Sequence, residues 1–179
     1  MLSNREELES VLSESARLGH VFARHAYGMR RWVDLFAARI AGIDDPELKE
    51  LVAVLVADNA RHMNLFRERA LAHGVDPDAY RAPAEGELIY ARLDAMTDFE
   101  AVAGYALGSL DHFAELLSVY AGAAAGDDAA VVAAVREDVD RMRARLRPLA
   151  AAGEHAEAEA HELYRVREIA ETPRYAIAC

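Results

Sequence analysis

The chain has 179 residues, 53% of them hydrophobic, with 10 Gly and 5 Pro. This is enough for one domain with a sizeable core, and the abundance of Ala, Leu, Arg and Glu favours helices. Its 31 acids against 20 bases give a formal net charge of −11, which argues against nucleic acid or an anionic membrane as a partner.

The first helix is expected from about Asn4 to Ala41, where Leu8, Leu12, Leu18, Phe22, Met29, Trp32, Phe36 and Ile40 keep a helical period. Gly19 and Gly28 weaken it and mark places for a kink or close packing. Gly42-Ile43-Asp44-Asp45-Pro46-Glu47 ends it. Glycine stops a helix, aspartate caps the next, and proline suits its first turn. The second helix should run from Pro46 to about His73, antiparallel to the first across so short a turn. Gly74-Val75-Asp76-Pro77-Asp78 breaks the pattern. Residues 74–98 read as a longer connection with a short helix over Glu85 to Asp94. Asp98 caps a third long helix to about Ala123. Gly126-Asp127-Asp128 is a second tight turn, and a fourth helix starts there and reaches Pro148 or beyond. Proline should kink or end it. A last helix from about Gly153 to Glu171 carries the stripe Ala156, Ala160, Leu163, Val166, Ala170, suited to covering one end of the bundle or contacting a partner.

The expected architecture is an all-α single domain over residues 1–179. Two antiparallel hairpins are joined by a long crossover (core about 5–150), and a C-terminal helix and tail follow (151–179). The one cysteine, Cys179, is the last residue and cannot form an internal disulfide; a prenylation box would place it four from the end. No apolar run approaches membrane-spanning length, and residues 1–16 carry acids rather than a signal-peptide core. A cytoplasmic protein with no membrane partner is the default expectation, and a homodimer is expected as for bundles generally.

The most informative stretch is residues 55–66. With Val52, Leu55, Val56, Met63 and Phe66 on the core face, Asn59 and His62 fall on that face as well. Buried polar groups cost free energy unless paired, so they need a reason. The first turn centres near residue 44, which sets His62 opposite residue 26, beside His25. The second centres near residue 126, which sets Asp138 opposite residue 114, near Asp111, His112 and Glu115.

Asn59-Ala60-Arg61-His62 has the spacing of a Glu-x-x-His motif with an amide in place of the acid. With the helix order and the long crossover, it resembles the ferritin-like superfamily. That resemblance covers residues 5–150 and implies a four-helix bundle with an acid on the first and third helices and Glu-x-x-His on the second and fourth. Arg136-Glu137-Asp138-Val139-Asp140-Arg141-Met142 stands where the fourth-helix motif is expected. In one frame Asp138 and Arg141 take the Glu and His places; shifted by one, Val139 and Met142 do. Asp111 is the third-helix match, and His25 replaces the first-helix acid.

Neutral Asn is a poor ligand and Arg has no acceptor, so these changes argue against a full di-iron centre. A single iron, manganese or zinc ion held by His25, His62 and Asp111 stays open. So does a metal-free enzyme for a small organic molecule, with His62 as general base, Arg141 holding an anionic group, and Asn59 and Asp138 contacting the substrate. With metal, the resemblance implies an oxidase or oxygenase. The competing expectation is a non-catalytic, metal-free helical scaffold or dimerisation protein, whose polar residues hydrogen-bond internally and set packing register. There Arg141 would pair with Asp138 or Asp111. Asp58, Arg61 and the run Arg67-Glu68-Arg69 are expected on solvated faces, and the tail histidines His155 and His161 at the surface.

Overall fold

The structure is a computed structural model that describes residues 15–82, 84–97 and 99–149. Among the described residues there are five α-helices and no strand: α1 (Ser15–Ile40), α2 (Pro46–Ala72), α3 (Ala84–Ala95), α4 (Phe99–Ala123) and α5 (Asp127–Leu146). The expected helix over Gly153 to Glu171, the start of the first helix before Ser15, and Asp98 lie outside the described residues. None of the described helices is long and apolar enough to cross a membrane. The described residues group into two compact units, Gly19–Ala82 and the residues on either side of that span.

Within Gly19–Ala82, α1 and α2 form the expected antiparallel hairpin. Asp45 caps α2 as its sequence position requires: its Oδ1 accepts from the backbone N–H of Glu47 at 2.8 Å and of Leu48 at 2.9 Å, with Pro46 at the first helical position. Such a cap is worth about 1 kcal/mol. The register follows from side-chain pairs. Phe22 stacks on Phe66 with centroids 5.7 Å apart, and a Cβ on Gly19 would lie 2.6 Å from His73 Cβ. Those two pairs are symmetric about residues 44 and 46, which places the turn where the sequence does.

The far end of α2 closes with a Schellman arrangement. Gly74 takes φ +74°, its N–H donates to Leu71 O at 2.9 Å, and Val75 N–H donates to Ala70 O at 3.0 Å. Only glycine adopts that backbone without strain. The resulting His73-Gly74-Val75 corner packs against Gly19, where a Cβ would also meet Val75 Cγ2 at 2.7 Å. Of the two readings for Gly19, close packing is the one realised.

The core face of α2 is narrower than its periodicity suggests. Leu51, Val52, Leu55, Asn59, His62, Phe66 and Ala70 are buried, whereas Val56 and Met63 are only half-buried. The two lie about 100° from their buried neighbours, at the edge of the stripe rather than inside it.

In the other unit, α4 and α5 run antiparallel across a turn at Gly126, which takes φ +56°. Residues 102–109 of α4 are buried without a break, so this helix is covered on every side along its first half. The core stripe of α5 is Val132, Val135, Val139, Met142 and Leu146. The helix ends at Leu146, two residues before Pro148, because proline disfavours helical backbone in the residue before it. α3 covers part of α4: Tyr90 and Leu93 are buried, and the Arg92 guanidinium lies 5.8 Å from the Tyr105 ring centroid.

Candidate functional site

The candidate residues divide between the two units: His25, Asn59 and His62 in Gly19–Ala82, and Asp111, Asp138 and Arg141 in the other.

In the first, α2 carries Asn59 and His62 on its buried face, as expected. His62 is 0% exposed and Asn59 5%. The Asn59 amide nitrogen donates to Leu55 O one turn back, at 2.8 Å. This satisfies a buried donor within the helix itself. His25 is buried too, and its ring lies 5.5 Å from Phe66, tilted by 39°. Phe66 thus packs against both Phe22 and His25, and it is one helical turn beyond His62. His25 thus sits within the aromatic packing of this hairpin.

Sequence reasoning missed Arg24, which is 5% exposed. Residues 21–26 of α1 are all buried, so one arginine lies within a helix segment that is covered all round. The signal was available in the small or apolar neighbours Val21, Ala23 and Ala26, which leave no wide solvent face there.

In the second unit the acids meet arginines. Asp111 on α4 is held by Arg143 of α5, whose Nε and Nη2 both reach its Oδ1, and Arg147 Nη2 lies 3.8 Å from its Oδ2. Asp138 is buried and accepts from Arg141 Nη2 one turn along α5. Arg143 also donates to Asp140 at 3.2 Å. The pairing of Asp138 with Arg141 is one that the sequence offered; the grip of Arg143 on Asp111 was not foreseen. Of the two frames for the fourth helix, both leave a mark. Val139 and Met142 occupy the core, and Asp138 is buried beside them, whereas Arg141 is exposed. His112 is half-buried and Glu115 exposed.

Among the described residues no group of three or more His, Cys, Asp or Glu side chains is gathered so that it could hold a metal ion. His155 and His161 lie outside the described residues.

One further cluster closes the open end of the α1–α2 hairpin. The Arg67 guanidinium donates to both carboxylate oxygens of Asp78, at 2.5 Å each, and Arg81 Nη1 donates to the carbonyls of Asp78 and Tyr80. Asp76 caps the short 3-10 helix Pro77–Ala79 through Asp78 N–H. Tyr80 then packs on Tyr27 at 5.4 Å, and Arg30 lies over the other ring of that pair, 5.3 Å from the Tyr27 centroid. The hydrogen bond from Arg67 holds the Asp78 carboxyl below its usual range against a smaller opposing push from desolvation, with further help from the charges of Arg67 and Arg30. The same hydrogen bond raises Arg67. Arg67 is therefore not simply part of a solvated face; it ties the loop back to α2. Arg61 and Asp58 do pair at 3.1 Å on the helix surface, although Asp58 is largely covered.

Comparison with protein-family models, with curated proteins and with solved structures gives no match.

Proposed function

We propose that this chain is a ferritin-like helical protein whose metal layer has been replaced by internal polar contacts, and that it acts as a metal-independent scaffold. The observation that carries this is Asp111: its carboxylate is gripped by Arg143 and Arg147. A guanidinium supplies the positive charge and the hydrogen bonds that a ligating carboxylate would otherwise spend on a cation. Asp138 is committed to Arg141 in the same way, and the Asn59 amide nitrogen to its own helix. Of these contacts the Asp111–Arg143 pair crosses from α4 to α5, and a scaffold uses such a pair to fix packing register, because a shifted partner would leave it unsatisfied.

Metal content tests this. The protein is dialysed against Fe(II), Mn(II) and Zn(II) in turn, washed and analysed. No stoichiometric retention is expected, and the melting temperature should be the same with and without chelator. Retention of about two irons per chain, the di-iron complement of the family, would overturn the reading. About one equivalent, lost in His62→Ala, would overturn it in favour of a mononuclear centre.

A second reading is favoured by the complete burial of His62 next to Asn59 on one helix face. An enzyme acting on a small organic molecule would use His62 as its general base and Asn59 as a positioning donor or acceptor. Native mass spectrometry of the purified protein distinguishes the two. A small organic molecule retained by the wild type and lost in a folded His62→Gln variant would establish the second reading.

A further inference from the structure

α5 has an outward face as well as a core face. Ala129, Ala133, Arg136 and Asp140 follow one another along that face at spacings of four, three and four residues. With Ala121 of α4 and the flanking Val132 and Glu137, they line a groove of about 350 Å³. Ala133, Arg136, Glu137 and Asp140 are exposed. Farther along the same side, Arg143 and Arg147 continue the row. The groove is therefore shallow and small-sided at one end and charged at the other, with a cation and an anion four residues apart.

We propose that this face is where a second copy of the chain docks, α5 against α5 in antiparallel orientation about a two-fold axis near residue 138. An isologous contact must be self-complementary, and this row is. An antiparallel pair centred there sets Arg136 of each copy opposite Asp140 of the other, so one charge pair is made twice. It also sets Ala133 and Ala129 opposite the Arg143 and Arg147 of the other copy. Their aliphatic stems fit over alanine, where a larger side chain would hold the helices apart. Parallel pairing would place like on like, Arg136 against Arg136. The chain carries a net charge of −11, so two copies repel at long range, and a locally matched row is what an attractive contact needs. The same docking is expected whether the polar layer serves a scaffold or an enzyme.

The test is a charge exchange read by sedimentation. Wild type should be dimeric at high concentration and dissociate on dilution. Arg136→Glu and Asp140→Arg should each weaken the dimer by at least about tenfold, because each sets like charges face to face. An equimolar mixture of the two variants should recover a heterodimer. Across that interface the two substituted side chains face each other with opposite charge, and so do the two native ones. Recovery on mixing cannot come from a pair within one helix. Circular dichroism checks that each variant is folded, as expected for exposed positions. A wild type that stays monomeric at every concentration overturns the proposal. So does a dimer indifferent to both substitutions, or a mixture that remains monomeric.

Discussion

Asn59, His62 and His25 are buried in α1–α2, beside the stacked rings of Phe22 and Phe66. In α4–α5 the carboxylates of Asp138, which is buried, and Asp111, which is half-buried, are both answered by guanidinium groups that reach in from more exposed positions. Around Asn59 the arrangement depends on packing and a local bond, since a neutral polar group tolerates burial when its hydrogen bond is made within its own helix. The α4–α5 arrangement depends on charge, since a carboxylate is retained at depth only when a cation neutralises it. The two hairpins thus hold their polar residues by different means.

The largest effect is expected from removing the packing. Phe66→Ala deletes the ring that contacts both Phe22 and His25, and urea unfolding should show a loss of about 3–5 kcal/mol. A loss below about 1 kcal/mol would mean that the polar layer of this hairpin is held by something other than aromatic packing. Next is the charged side. A double-mutant cycle on Asp111→Ala and Arg143→Ala should give a coupling of about 1–2 kcal/mol, because the pair is partly exposed and part of its attraction is screened. Additive losses would remove the distinction between the hairpins.

One glycine from each hairpin extends the contrast. Gly19→Ala forces a Cβ to within 2.6 Å of His73 and should cost about 1–3 kcal/mol despite the better helix propensity of alanine. Gly122→Ala, in α4, meets nothing within 4 Å and should stabilise by about 0.5–1 kcal/mol. Thermal melts of the two variants should therefore move in opposite directions.

The smallest effect belongs to the Arg67–Asp78 tie. Asp78 has a lowered folded pKa, so its contribution is present above the usual carboxylate range and is lost as pH falls through the folded value. Asp78→Asn should differ slightly from wild type at neutral pH and in low salt. The difference should fade in acid, where the wild-type carboxyl is protonated too, and in high salt. A difference that persists in acid would assign the tie to packing of the Tyr27–Tyr80 pair.

Much of this architecture is legible before any coordinates. Asp45-Pro46 announces a capped helix start, and the turn it defines fixes which residues of α1 and α2 meet. The stripe through Asn59 and His62 follows from a period of 3.6 residues. What was not legible is long-range in origin. Asp138 and Val139 are both buried although they point about 100° apart, because α5 is covered over more than a narrow stripe. The two motif frames therefore do not exclude each other at these positions. Arg143 could not be selected from the five arginines between residues 136 and 147, because reaching Asp111 depends on how α5 rotates against α4. Arg67 found its partner eleven residues away, through a 3-10 turn whose direction no periodicity encodes.

The notch formed by Gly19 and the His73-Gly74-Val75 corner has a consequence for changing the length of this chain. Sliding α1 by one residue would bring Leu18 or His20 to a place where even a methyl group collides. The hairpin thus has one permitted alignment, set at the end farthest from its connecting turn. A residue inserted at Gly42 or Ile43 must then bulge out locally and cannot be passed down the helices. Ala41 and Gly42 are exposed whereas Ile43 is buried, so the Ala41–Gly42 junction is the natural place to splice in a tag or a label.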